Sequence, residues 1–428
     1  MRTQPIGAGP STAPLPDSEG RSRSPWFREA QFVILCARTK VSESICCQIR
    51  EAAQRPIDWP LVLDLARYHG VGPLLYRTIC AVCSDLVPKE SVDALRHVTQ
   101  AGTLLNRALT QEMIQLCRAF SRSGVPVIPF KGATLASSAY GDPVIRDFDD
   151  LDFIVPQHRL ADAERLLWSQ GYRPREQSDS PHVGEPYHVF VKKNSLIRVD
   201  LQWMMAHEQF AFHLDRKEIW DRRVTVAIND DIVEALAPDE LLILLCVHGS
   251  KHAWEQLKWT VDVAELLRGH SLDWQRVLTT ATTWKCRRMV FLGLALANRI
   301  FDTPLPPHIR AMLSRDPDIP RLACRMPKGL LVSSRDGIDE SEAVALYFAL
   351  KDTWADRWLY GLALLRDDHP MLDRWPVWIR SRPLVWLTWI ARALRASPVV
   401  RMVVRKCRRR IDCSLHEYVE GESSRLAR

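Results

Sequence analysis

The chain has 428 residues, of which 46% are hydrophobic and 25% charged. That is ordinary soluble composition, with length for two or three domains. Eleven scattered cysteines and no visible N-terminal signal peptide favour reduced thiols in a cytoplasmic setting over a disulfide framework. The net charge of +7 is unevenly spread: six of the ten residues from Arg401 to Arg410 are Arg or Lys.

Residues 1–25 are rich in Pro, Ser, Gly and Arg and read as disordered. Residues 26–122 show helical periodicity, with breaks at Arg55-Pro56 and Val87-Pro88 and core positions at Trp59, Leu63, Leu65 and Leu74 to Tyr76. Cys80-x-x-Cys83 has no second pair and no nearby His, so two helical core thiols are expected rather than zinc.

Residues 123–234 form an α/β segment. A short buried strand over 125–130 runs into Lys131-Gly132-Ala133-Thr134 and a helix over 132–140. A glycine at a strand-to-helix junction lets backbone N–H groups approach a phosphate, and Lys131 adds a point charge. Arg146 opens the most acidic stretch, Asp147-Phe148-Asp149-Asp150-Leu151-Asp152. Period-two alternation over 150–155 places Leu151, Phe153 and Val155 on one face, and Asp150 and Asp152 together on the other. Paired carboxylates at that spacing repel unless a cation lies between them, so the strand reads as a magnesium-binding edge, or else as an acidic turn into a buried strand. A helix over Gln157–Gln170 ends at Gly171. A hairpin follows, with strands Tyr187–Lys192 and Leu196–Trp203; Arg198, Asp200 and Gln202 share a face of its second strand. Asp200 would complete a three-carboxylate cluster, or pair with Arg198 or Lys192 at the surface.

Helix returns over 235–318, with Asp239 as N-cap of a long helix broken or bent near Gly249. His248, His252, Glu255, Trp259 and Asp262 fall on one stripe, with Lys251, Trp254 and Lys258 beside it. His248-Gly249-Ser250-Lys251-His252 lacks the glutamate of a zinc-hydrolase helix, so a polar stripe facing a ligand, or a packed helix, is expected instead. Residues 319–428 form a C-terminal helical region, with one long helix over Ser341–Leu365 and an irregular connection over Pro370–Pro383. The apolar run Pro383–Ala391 is too short to span a bilayer, which takes about 18 residues. Its tryptophans and the following arginines make residues 383–410 a candidate for an anionic membrane surface, for nucleic acid, or for a solvated helix packed on the body.

Four stretches together resemble the bacterial nucleotidyltransferase family proteins of the DNA polymerase β-like superfamily. They are Phe130-Lys131-Gly132-Ala133 with Tyr140-Gly141-Asp142-Pro143; Arg146 with Asp150-Leu151-Asp152; Val199-Asp200-Leu201-Gln202-Trp203; and the His248, Lys251, His252, Trp254, Leu257, Lys258, Trp259, Asp262 series. Asp58-Trp59, Ala66, His69-Gly70-Val71-x-Pro73 and the Asn106 helix resemble the family's helical N-terminal part. The likeness covers about residues 55–270. Two positions depart from the pattern: Ala133 follows Gly132 where the superfamily has Gly or Ser, and Gln202 stands where His is usual.

The resemblance implies an α+β fold: a polymerase β-like core with a small mixed sheet and helices, flanked by N- and C-terminal helical regions. It implies a cytoplasmic, Mg2+-dependent nucleotidyltransferase that moves a nucleoside monophosphate from an NTP such as ATP to a hydroxyl, releasing pyrophosphate. Asp150, Asp152 and Asp200 are the expected catalytic and metal-binding residues of a two-metal site. Lys131, Gly132, Ala133, Arg146, Lys251 and Lys258 are candidates for nucleotide and phosphate binding; Arg146 would alternatively pair with Asp147 or Asp149. His248, His252, Trp254 and Asp262 would line the site from the helical side. The acceptor class (small molecule, sugar, peptide, protein or tRNA) is left open, as is the oligomeric state. The rival expectation is a nucleotide-binding scaffold without turnover, membrane-peripheral in a surface-polysaccharide or peptide biosynthesis system.

Overall fold

The computed structural model describes residues 27–175, 187–203 except 194 and 196, 214, 216–329 and 340–366. The proposed disordered N-terminus, the Pro370–Pro383 connection and the 383–410 segment lie outside the described residues.

The architecture is α+β. A five-stranded mixed sheet comprises β1 (Ile128–Phe130), β2 (Leu151–Ile154), β3 (Tyr172–Pro174), β4 (Tyr187–Lys192) and β5 (Arg198–Gln202), in the order β1-β2-β5-β4-β3. β2 and β5 are parallel and every other pairing is antiparallel. Alternation decides which face each strand buries. Leu151, Phe153, Val199, Leu201, Phe190 and Tyr172 pack with Leu109, Met113, Leu116 and Phe120 of the Lys89–Arg122 helix and with Ala163 and Leu167 of the Leu160–Ser169 helix. The opposite face is thereby left to the polar members of the same strands. A separate hairpin of β6 (Val224–Ile228) and β7 (Asp231–Ala235) closes the α/β part. Neither β3 nor this hairpin stood out in the sequence, because Tyr172–Pro174 is only three residues long and β6 exposes most of its length.

The helices pack into a second, larger core. The sequence breaks at Pro56 and Pro88 fall between helices as expected, ahead of Trp59–Tyr68 and Lys89–Arg122 respectively. Asp58 caps the former by accepting from the Leu61 amide at 3.1 Å. Two expectations are corrected and one open alternative is decided. Asp239 is not an N-cap: the helix Pro238–Lys251 begins with proline in its first turn, and Asp239 instead accepts from the Asp273 amide and pairs with Arg222. Of the two alternatives near Gly249, a break or a bend, the structure has the break: the helix stops at Lys251, and a new one runs over Leu257–Gly269. Ala253 and Trp254 between them take positive φ angles of 50° and 55°. Finally, the single helix expected over Ser341–Leu365 is two, Glu340–Ala349 and Trp354–Arg366, parted at Asp352-Thr353. The Asp352 carboxylate turns away to accept from the Arg287 and Arg288 amides, both at 2.9 Å, capping the Arg287–Phe301 helix.

Candidate active site

The register of the parallel pair builds the site. Asp152 of β2 lies directly opposite Asp200 of β5, and Leu151 opposite Val199. Neighbouring strands are about 4.8 Å apart, so same-face residues in register meet side by side. Asp150, two residues before Asp152, shares that face. One carboxylate oxygen from each of the three aspartates lies within 4.8 Å of the others.

Crowding three acids in a buried place disfavours charge, and each answers differently. Burial, reinforced by Asp152 and Asp150, pushes Asp200 up to about 7. Burial also raises Asp152, with Asp150 adding to the shift and Lys131 opposing it. Asp150 is driven down: burial works against its charge, but Lys131 and Arg198 together outweigh it. Lys131 Nζ stands 3.0 Å from Asp152 Oδ2, Gln202 donates its amide to Asp152, and Arg198 donates to Asp150. Arg198 Nε is 3.4 Å from Asp200 Oδ1 but is not aligned to donate, so that carboxylate oxygen is buried without a hydrogen bond. An orphaned buried oxygen beside two other carboxylates is a donor set suited to a hard divalent cation. Thus the three aspartates fit the metal that the resemblance implies.

Lys131 follows β1 and adopts φ 63° and ψ −136°, a backbone region that a side-chain-bearing residue avoids. This aims its ammonium between Asp152 and His248, whose Nε2 lies at 3.5 Å. Burial, then the Lys131 charge, pushes the His248 pKa well below its ordinary range. Gly132, at φ 46°, opens the short helix Gly132–Leu135, and the Ala133 side chain is buried beneath it.

Across the site, Lys251 ends one helix and Lys258 starts the next. Burial, then Lys131, lowers the Lys251 pKa, while Asp152 and Asp200 pull it back up. Burial, then Arg146, lowers Lys258. The exposed His252 ring stacks on Trp259 at 5.0 Å and 28°, and His248 meets His252 edge-on at 4.7 Å.

Three candidates lie elsewhere. Arg146 is not a phosphate clamp, nor does it pair with the side chain of Asp147 or Asp149. It is buried, and it forks onto Asp262 through Nε at 2.7 Å and Nη2 at 2.9 Å. Asp262, likewise buried, also accepts from the Tyr140 hydroxyl at 2.6 Å and does not line the site. Asn106 donates to the Arg146 carbonyl at 2.9 Å, fastening the backbone just ahead of the acidic strand. Trp254 faces the core: it is 1% exposed, and a Cβ on Gly249 or Gly293 would meet its ring at 2.6 or 3.0 Å. The stripe assumed one continuous helix, and the turn at 252–256 rotates Trp254 inward. Conversely, Arg198 belongs to the site as the partner of Asp150; its alternation with Asp200 and Gln202 was the available signal.

No curated protein matches the chain. Among solved structures, it resembles ANT(2'')-Ia in complex with adenylyl-2''-tobramycin at 14% identity and a TM-score of 0.31, over 42% of this chain and 98% of the other. It also resembles an antigenic nucleotidyltransferase-like protein from Paracoccidioides brasiliensis at 17% identity and a TM-score of 0.29, over 48% and 92%. A family model described as uncharacterised nucleotidyltransferase matches residues 55–302, which hold the carboxylate cluster and the helices facing it. The chain belongs to that nucleotidyltransferase family.

Proposed function

We propose that the protein transfers a nucleoside monophosphate from an NTP to a hydroxyl acceptor, with Mg2+ held by Asp150, Asp152 and Asp200. The observation that carries this reading is the convergence of the three carboxylates, one with an unpartnered buried oxygen, facing lysines on the helical side. When bound, the divalent cation supplies positive charge that neutralises the triphosphate and the charge developing on it in the transition state. The chain's own groups do the rest. Backbone N–H groups at Gly132 and Ala133, at a helix start, would donate to phosphate oxygens. Lys131, Lys251 and Lys258 match the remaining negative charge in a low-dielectric setting, where such contacts are strongest. His252, stacked on Trp259, borders the nucleotide from the helical side.

In the transfer step the acceptor oxygen attacks the α-phosphorus. The bond from that phosphorus to the oxygen bridging it to the β-phosphate breaks, and pyrophosphate leaves. Asp200, whose Oδ1 has no hydrogen-bond partner, would take the acceptor's hydroxyl proton. The 123–234 segment thus supplies the carboxylates and the 235–318 segment supplies two of the lysines. Acceptors are drawn from small molecules, sugars, peptides, proteins or tRNA.

One observation favours the scaffold reading: Lys131, Gln202 and Arg198 already occupy oxygens of Asp152 and Asp150. A single assay separates the two. Protein is incubated with Mg2+, each NTP labelled at the α-phosphate, and small-molecule or macromolecular lysate fractions as acceptor source. Transfer is expected from the wild type and lost in Asp152→Ala. Mg2+-dependent NTP binding with no transfer under any condition would favour the scaffold, and neither binding nor transfer would overturn both readings.

A further inference from the structure

A helix begins with amide N–H groups that its own turns cannot satisfy. At the Leu257–Gly269 helix, which carries Lys258 in its first turn, the N-cap Gln256 side chain serves none of them. His69, from the N-terminal helical region, serves two instead. Its Nδ1 accepts from the Leu257 amide at 3.3 Å, and its carbonyl accepts from the Lys258 amide at 3.1 Å. Beside it the Tyr68 hydroxyl donates to the Glu255 carboxylate. These contacts hold a turn that would not choose its own shape. Ala253 and Trp254 both lie at positive φ, which a side-chain-bearing residue keeps only where its surroundings impose it.

Tyr68-His69-Gly70 can do this because it ends a helix. After the Trp59–Tyr68 helix, the Gly70 amide bonds back to the Arg67 carbonyl and the Val71 amide to the Ala66 carbonyl, with Gly70 at φ 63°. That is the left-handed helix ending that glycine favours, and Pro73 stands in the first turn of the Gly72–Val82 helix that follows. Gly70 has a second reason to lack a side chain: a Cβ there would meet Lys258 Cδ at 2.7 Å. The lysine stem thus lies across the glycine, and the ammonium beyond it favours the ionised forms of Asp147 and Asp150. We infer that the Tyr68-His69-Gly70 turn positions Lys258 for the NTP: His69 fixes where its helix starts, and Gly70 leaves the notch its stem crosses. What the ammonium meets rests on the nucleotidyl-transfer reading; where it stands rests on geometry alone. His69 and Gly70 are positioning residues, acting through Lys258 rather than on the nucleotide.

Gly70→Ala in the full chain tests this, with Gly124→Ala as control. Gly124 has matching backbone strain at φ 64°, but nothing lies within 4 Å of a Cβ placed on it. Acetic anhydride followed by peptide mass spectrometry reads the accessibility of the Lys258 amine without nucleotide. Titration calorimetry with ATP, GTP, CTP and UTP in Mg2+ reads binding. Gly70→Ala should acetylate Lys258 several-fold faster than the wild type and bind NTP about tenfold more weakly, as for one lost charge-assisted contact. In a Lys258→Ala background the same change should cost no further affinity, because no stem is left to displace. Gly124→Ala should match the wild type in both measurements. His69→Ala should also speed acetylation, and His69→Asn, whose side-chain oxygen can accept from the Leu257 amide, should restore the slow rate. Acetylation at the wild-type rate in either Gly70→Ala or His69→Ala would overturn the inference, as would equal effects in Gly124→Ala. Faster acetylation with unchanged NTP affinity would also overturn it, since Lys258 would then be placed for something other than the nucleotide. A wild type that binds no NTP would overturn the transfer reading instead, and the acetylation rates alone would then decide whether the turn places Lys258.

Discussion

Lys131 concentrates the chemistry of the site into one residue. Its φ of 63° and ψ of −136° cost about 1–3 kcal/mol for a side-chain-bearing residue. In return the ammonium reaches Asp152 at 3.0 Å and offsets the repulsion among the aspartates. Glycine at this position relieves the backbone and removes the charge, and the two effects are separable. Lys131→Gly should bind NTP at least about tenfold more weakly, as expected for losing one charge-assisted contact in a protected site. It should also hold a divalent cation in the nucleotide-free state more tightly than the wild type, because no ammonium competes for Asp152. Calorimetric titration with NTP and, separately, with Mn2+ reads both changes; unchanged affinities would remove Lys131 from the site.

At the level of elements, the Tyr140–Arg146–Asp262 network joins the segment before β2 to the Leu257–Gly269 helix. Both charged side chains are almost fully buried, at 6% and 1% exposure. Burial alone would lower the Arg146 pKa, but Asp262 outweighs that and keeps the guanidinium charged. Removing one member strands the other, so Asp262→Ala should cost about 3–5 kcal/mol, measured by denaturant unfolding. A loss below about 1 kcal/mol would mean that the network does not fasten the two parts. The same network marks where sequence reasoning stopped. Alternation in 150–155 put Asp150 and Asp152 on one face and alternation in 198–202 grouped Asp200 with Arg198 and Gln202, because a period of two is local; the parallel pairing that brings Asp200 to the other two is not. The helical stripe from His248 to Asp262 assumed an unbroken period of 3.6, whereas the turn at Ala253 and Trp254 resets the phase. Trp254 accordingly went to the core and Asp262 to Arg146, on long-range packing that no spacing reveals. The breaks at Pro56 and Pro88 were legible because proline acts through its own backbone.

At the scale of the whole molecule, the acidic cluster makes folding sensitive to pH. The folded state raises Asp200 from an ordinary 3.8 to about 7, mainly by burial. Between those values the unfolded chain has lost the proton and the folded protein keeps it. Stability therefore falls as pH rises from about 4 to 7 and levels off above. Asp147, pushed by burial to about 6, contributes in the same direction. Other carboxylates with lowered values, such as Asp85 and Asp162, act oppositely at more acidic pH. The comparison with Asp200→Asn isolates the effect: the variant should gain melting temperature relative to the wild type as pH increases from 5 to 8, and added Mg2+ should shrink the gap by stabilising the wild type. A gap that does not change with pH would show that Asp200 titrates normally.

In the proposed function, Asp150 just ahead of β2, Asp152 in β2 and Asp200 in β5 share a cation beside a nucleotide. Crystals soaked with Mn2+ and a non-hydrolysable NTP test it most directly, through the anomalous signal of the metal. The expected result is a peak bounded by Asp150, Asp152 and Asp200, with the triphosphate reaching toward Gly132 and Lys131. Nucleotide bound with no peak among the three aspartates, or with Asp200 turned away from the metal, would contradict it.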